Sequence, residues 1–123
     1  LKFNSDELKI LSFLRVQAAE NEIIFYSKEL LRDILKFDES AINTILKSLE
    51  NSRAIMMFNI KDKVSKINIT NAYYLQEYDT DNEMYMSVNT IDEIRNYALG
   101  VMQAKELQNA IKNDLKPREL IIE

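Results

Sequence analysis

The sequence has 123 residues, with 16 Lys+Arg against 20 Asp+Glu for a net charge of −4, and it contains no His, Cys or Trp. With one Gly and one Pro as well, these absences exclude a P-loop, a dinucleotide fingerprint, a Ser-His-Asp triad, a Cys nucleophile, a disulfide and an ordinary zinc site. An apolar fraction of 46% with 29% charged is that of one globular domain, and no apolar run has the length of a signal peptide or membrane span. What remains is a protein that binds something rather than transforming it, expected in the cytoplasm without metal or cofactor. The first residue is Leu, which points to a fragment or a lost initiator. The abundance of Ile, Asn and Lys hints at an AT-rich genome.

Asn4 and Ser5 precede Asp6 and Glu7, an N-cap followed by acidic first-turn residues. Leu8, Ile10, Leu11, Leu14 and Ala18 then recur at helical spacing, predicting an amphipathic helix over 5–19. Glu22 to Tyr26 is short and β-branched, and reads as one brief strand. Ser27 caps a second helix to about Leu35, with Leu30, Leu31 and Ile34 expected to face inward. Asp38 is the natural N-cap of a third helix to about Asn51. In it Ile42, Ile45, Leu46 and Leu49 give the best periodic match in the chain.

Ala54–Ile60 and Val64–Thr70 flank Lys61-Asp62-Lys63 and read as a β-hairpin, without the Asn-Gly or Asp-Gly of a tight turn. Residues 72–78 read as strand continuing into loop, and Asp79 to Glu83 as an acidic loop. Met84, Met86 and Val88 alternate with Tyr85 and Ser87, as in another short strand. Thr90-Ile91-Asp92-Glu93 is a capping-box pattern opening a long helix to about residue 115, and Pro117 closes it before the apolar tail Leu120-Ile121-Ile122.

Helix, short strand, helix, tight break, helix, then hairpin is an order that resembles the winged helix-turn-helix of MarR-type regulators and of plasmid or phage replication and partition proteins. The stretch from Tyr26 to Ile55 carries the resemblance, and Leu49-Glu50-Asn51-Ser52-Arg53-Ala54-Ile55 looks like the exit of a recognition helix into a first wing strand. The pattern's Gly is replaced by Ala54, which makes the left-handed exit a matter for Asn51 or Ser52. The resemblance covers about residues 5–70. It implies an α+β class, mainly α with a small hairpin. The winged-helix DNA-binding domain would be 1–78, and 79–123 an acidic loop plus a C-terminal helix packed on the same domain.

A recognition helix reads base edges in the major groove with its N-terminal half, and Ser40, Asn43, Thr44 and Lys47 suit that chemistry. A solvated amphipathic helix shows such a face too. Arg53 and the hairpin lysines Lys61, Lys63 and Lys66 would meet phosphates, although exposed lysines also guard hairpins against edge pairing. Charge sharpens the choice. Residues 1–70 hold 11 basic and 10 acidic side chains, residues 71–123 hold 5 and 10, and the window 47–69 carries a net +3.

So thin a patch calls for two copies, because salt-dependent affinity scales with the phosphates neutralised. The long helix offers a seam through Ile94, Tyr97, Val101, Ala104 and Ile111, interrupted by Lys105 and Gln108, so packing on its own domain while sharing a dimer interface fits better than a long isolated coiled coil; a purely intramolecular core helix is the alternative. Tyr97, Val101, Met102 and Leu107 are expected to be buried in either case.

Asp79 to Glu83 spaces carboxylates as calcium loops do, but Met84 and Thr90 stand where an EF-hand needs Gly and Glu. The tyrosines and methionines could line a ligand pocket, though such residues at helical spacing are more often core. The expected function is therefore a dimeric, sequence-specific double-stranded DNA-binding protein, either a transcriptional regulator or a plasmid or phage replication or partition factor. The alternative is a winged-helix module that binds protein, for which the acidic C-terminal half offers a surface. Carboxylate-only enzymology is the weakest option, since it needs an enclosing cleft.

Overall fold

A computed structural model describes residues 2–86 and 90–123. The elements follow in the order α1 (Ser5–Ala18), β1 (Ile24–Tyr26), α2 (Lys28–Leu35), α3 (Glu39–Asn51), β2 (Ile55–Asp62), β3 (Asn68–Leu75), β4 (Tyr78–Asp79), β5 (Met84–Tyr85), α4 (Ile91–Lys112) and β6 (Leu120–Ile122). The protein is thus α+β, and its sheet is larger than the hairpin and brief strand read from sequence. Four antiparallel strands lie in the order β1-β3-β2-β6, and β4-β5 form a separate small hairpin. The extra strand is the C-terminal tail, where Leu120, Ile121 and Ile122 pair with Asp62, Lys61 and Ile60. Three apolar residues carry no period from which sheet pairing could be inferred.

Strand alternation sends side chains to opposite faces and gives the chain two cores. On one face Ile24, Ile55 and Tyr73 pack with Ile10, Leu11 and Leu14 of α1, Leu31 and Leu35 of α2, and Ile42, Ile45, Leu46 and Leu49 of α3. On the other, Ile23, Phe58, Ile60, Ala72 and Leu120 pack with Ala98, and Ile94, Leu99 and Met102 of α4 lean on them. The sheet therefore separates α1–α3 from α4. The C-terminal residues are woven into this arrangement, because Tyr85 of β5 joins the first core and β6 extends the sheet.

Local chemistry explains most boundaries. Asn4 and Glu7 form a reciprocal capping box at α1: Glu7 N donates to Asn4 Oδ1 at 2.8 Å and Asn4 N to Glu7 Oε1 at 3.0 Å. The other Glu7 oxygen accepts from Ser48 Oγ at 2.9 Å, fastening α1 to α3. Ser27 caps α2 by accepting from Leu30 N at 3.1 Å.

Two expected caps are not made. Asp38 is extended at the start of α3 but its side chain makes no cap bond, and neither does Thr90 at α4, where φ −124° and ψ 40° lie away from the cap geometry. The expected inward face of α2 is also corrected: Leu31 and Leu35 are buried, while Leu30 and Ile34 remain 47% and 44% exposed. In so short a helix the i, i+4 pair decides which stripe meets the core. In the expected strand over 84–88, Met84 and Tyr85 pair with Asp79 and Tyr78, while Ser87 and Val88 lie outside the described residues. Between β4 and β5 the acidic stretch is a tight turn. The Asp79 carboxylate accepts from Asp81 N, Asn82 N and Asn82 Nδ2, and these bonds, the Asn82 side chain first, lower its pKa.

A chain with one glycine must turn without it. Lys36, Arg53, Lys66, Glu83 and Asp114 all adopt positive φ, near 62°, 68°, 63°, 53° and 54°. The exit from α3 falls on Arg53 rather than on Asn51 or Ser52, and Ala54 N closes it by donating to Leu49 O at 3.0 Å. Left-handed backbone strains a residue that bears a Cβ by roughly 1–2 kcal/mol. Lys36→Gly at the end of α2 is therefore expected to stabilise the fold by about 1 kcal/mol, after the glycine's own entropy is subtracted. Urea denaturation checks this, and an unchanged or lower midpoint contradicts it.

Candidate nucleic-acid interface

The third helix is amphipathic in the strict sense. Ile42, Ile45, Leu46 and Leu49 are buried, so the helical period turns Ser40, Asn43, Thr44 and Lys47 outward together. All four are exposed, and the structure brings them onto one face as their spacing implied. Thr44 Oγ1 donates to Ser40 O at 3.1 Å, which fixes the hydroxyl and leaves its oxygen as an acceptor. Ser48 belongs to another job, since its hydroxyl is committed to Glu7.

Lys61, Lys63 and Lys66 lie in and after the end of β2, where the connection to β3 turns through Asp62. The Asp62 carboxylate accepts from Val64 N at 2.8 Å and Ser65 N at 3.0 Å, which depresses its pKa, and Lys66 takes the left-handed position. That is why the turn needs no Asn-Gly. Two of the three lysines carry acidic partners from the residues that flank β6. Lys61 Nζ lies 2.6 Å from Glu123 Oε2, and Lys63 Nζ lies 3.0 Å from Glu119 Oε1. The Lys61 hydrogen bond holds the Glu123 carboxyl below its usual range, with Lys66 adding a smaller push. Sequence separation hid these pairs, because they form only when β6 docks beside β2.

A residue missed in the sequence links the helix to the hairpin. Lys28, at the first turn of α2, lines a cleft of about 220 Å³ with Glu29, Arg32, Glu39, Ile42 and Asn43. It also lines a second cleft, of about 230 Å³, with Glu29, Asn59, Lys61, Asn68 and Asn71. Nothing in its local sequence marks Lys28; only the packing of α2 against both neighbours does. These clefts are not purely cationic, since Arg32 already faces Asp33 at 3.3 Å and Glu39 at 3.8 Å. Below the second cleft Asn71 is buried and donates to the Tyr73 hydroxyl at 3.3 Å, and burial pushes the phenol up to about 12.

No protein-family model, no curated protein and no solved structure matches the chain. Its chemistry has to be judged from its own residues. Among the described residues no group of three or more acidic side chains could hold a metal ion. No helix among them is long and apolar enough to cross a membrane. The surface formed by α3, the start of α2 and the β2–β3 turn offers hydrogen-bonding side chains flanked by amines, which is the equipment for phosphates and base edges.

On the far side of the sheet, the expected seam residues of α4 divide. Ile94 and Val101 are partly covered, whereas Ala104 is exposed and Tyr97 and Ile111 are 53% and 71% exposed. Tyr97 and Leu107, expected to be buried in either case, are therefore surface residues of the single chain, and Val101 and Met102 are only half-buried. The face that α4 turns to the second core is instead the one bearing Ala98, Leu99 and Met102, with the expected seam residue Ile94 among them.

Proposed function

We propose that the chain is a non-catalytic, sequence-specific double-stranded DNA-binding protein of the winged helix-turn-helix kind, acting as a dimer in transcriptional regulation or in plasmid or phage replication or partition. One observation carries the reading. Helix α3 presents Ser40, Asn43, Thr44 and Lys47 outward on a fully buried hydrophobic base, with Lys28 and the lysine-bearing β2–β3 turn on the elements beside it. The antiparallel order β1-β3-β2 beside α2 and α3 is in keeping with it. In this reading Asn43 and Lys47 meet base edges, while Lys28, Arg53, Lys63 and Lys66 meet phosphates and set the register.

Binding of mixed-sequence duplex DNA, titrated over salt, is the direct test. Asn43→Ala is expected to relax sequence preference at one base pair by about 1–3 kcal/mol, leaving the salt slope unchanged. Selection of preferred sites from random duplexes reads that change. A specific observation favours a second reading, a module that binds protein: Lys61 and Lys63 are already paired with Glu123 and Glu119. A folded chain that binds no duplex at low salt would replace the first reading with this one.

A further inference from the structure

The stretch after α4 is fastened to two neighbours, and side chains make both fastenings. At α4, one carboxamide holds its backbone: Gln103 Nε2 donates to Arg118 O at 2.8 Å, and Gln103 Oε1 accepts from Leu120 N at 2.9 Å. The Arg118 guanidinium then grips the Glu106 carboxylate through two bonds, Nε to Oε1 at 2.8 Å and Nη2 to Oε2 at 3.0 Å. At the hairpin, Glu123 and Glu119 sit on Lys61 and Lys63. Arg118 also lies close enough to Asp62, which shapes the β2–β3 turn, for their charges to act on each other. Arg118–Glu123 therefore ties α4 to the hairpin.

The consequence for the hairpin is one of charge. Lys61, Lys63 and Lys66 outweigh Asp62, so the turn by itself carries a net +2. With Glu119 and Glu123 in place the same patch is neutral. The structure also gives β6 a means of release. It has three residues and lies at the edge of the sheet, paired with β2 alone. Short edge segments of this kind open at a free energy well below that of global unfolding. Of its side chains only Leu120 is buried, Ile121 and Ile122 being half-covered. The two hairpin ion pairs are open to water and salt, which weaken them. Residues 111–119 are exposed throughout, so β6 can leave without dragging a core residue of that stretch with it.

We infer that Arg118–Glu123 is an autoinhibitory strap: docked as β6 it withholds Lys61 and Lys63 from an anionic partner, and undocked it yields both. The strap is set from α4, because Gln103 and Glu106 hold the end that reaches no lysine. Loosening that end lowers the effective concentration of the two carboxylates at the hairpin. An anion on the lysines and the docked strap compete for the same amines, so each weakens the other by the same factor. The inference rests on the proposed function only for the identity of that anion, duplex DNA. Cover of the lysines is a property of the chain alone.

Gln103→Ala combined with Glu106→Gln tests the strap, since both changes fall on α4 and leave the Lys61–Glu123 and Lys63–Glu119 pairs chemically intact. The amides of Asn59, Lys63 and Glu123 bond across the β2–β6 seam, and their hydrogen exchange is expected to quicken by about tenfold, with α3 amides unchanged. Acylation by a succinimidyl ester, read by mass spectrometry, should rise at Lys61 and Lys63 and stay constant at Lys28. Anisotropy of a labelled mixed-sequence duplex at low salt should show binding tightened by about threefold. Arg118→Gln breaks the same anchor from the other side and should reproduce all three effects, although it removes a positive charge. Unchanged exchange and acylation in both variants would overturn the strap. So would duplex affinity that stays at the parent's value while acylation rises. If neither parent nor variant binds duplex and acylation still rises, the strap stands and the DNA reading falls.

Discussion

Lys63→Glu combined with Lys66→Glu is expected to weaken duplex binding of every sequence alike and to reduce the salt slope, d log K/d log[salt], by about 1.8 in magnitude. The slope follows from about 0.9 for each phosphate no longer neutralised, for two lysines that are both exposed on the β2–β3 turn. The defect should be largest at low salt and shrink as salt rises, because screening already weakens these interactions in the parent protein. The structure adds a contrasting variant. Glu119 and Glu123 hold Lys63 and Lys61 at 3.0 and 2.6 Å, and a phosphate must displace them. Exposed ion pairs contribute only about 0–1 kcal/mol, so the exchange is easy, but removing the carboxylates removes both the competitor and its repulsion of the duplex. Glu119→Gln with Glu123→Gln should therefore tighten binding while leaving sequence preference alone. Fluorescence anisotropy with a labelled duplex at several salt concentrations measures both variants. Opposite-signed effects are expected; a double glutamine variant that binds no better than the parent would show that the hairpin lysines do not meet DNA.

Leu46→Ala is expected to destabilise the fold by about 2–5 kcal/mol, a large share of the roughly 5–15 kcal/mol available to a domain of this kind. Leu46 is 0% exposed and packs among Leu11, Leu14, Leu31, Leu49 and Ile55, where α1, α2, α3 and the sheet converge. Such a site collapses poorly when atoms are removed, because each wall belongs to a different element held by its own packing. Urea denaturation followed by circular dichroism should show a lower midpoint with a similar slope. A change below about 1 kcal/mol would mean that α3 is less firmly seated than its burial indicates, and with it the face that carries Asn43 and Lys47.

How legible each feature was depends on how local its cause is. The α3 face was legible because one helical period both buries Ile42, Ile45, Leu46 and Leu49 and exposes Ser40, Asn43, Thr44 and Lys47. The caps at Asn4 and Ser27 were legible because a cap is satisfied within three residues. The missing caps at Asp38 and Thr90 show the limit of the same signal. A suitable residue does not make the bond unless the incoming chain places it.

The opening composition by itself determined what this protein has no means to do, and the helical periods determined which residues could share a face. Only the tertiary structure decided what those faces meet. It brought Glu119 and Glu123 beside the hairpin lysines, set Lys28 between two clefts, and left Tyr97, Ala104 and Ile111 of α4 exposed while Ile94 packs on the core. The physical reason is common to all three. Strand pairing and sheet packing join residues far apart in the chain, and the net −4 acquires meaning only once that pairing fixes which charges lie within reach of one another.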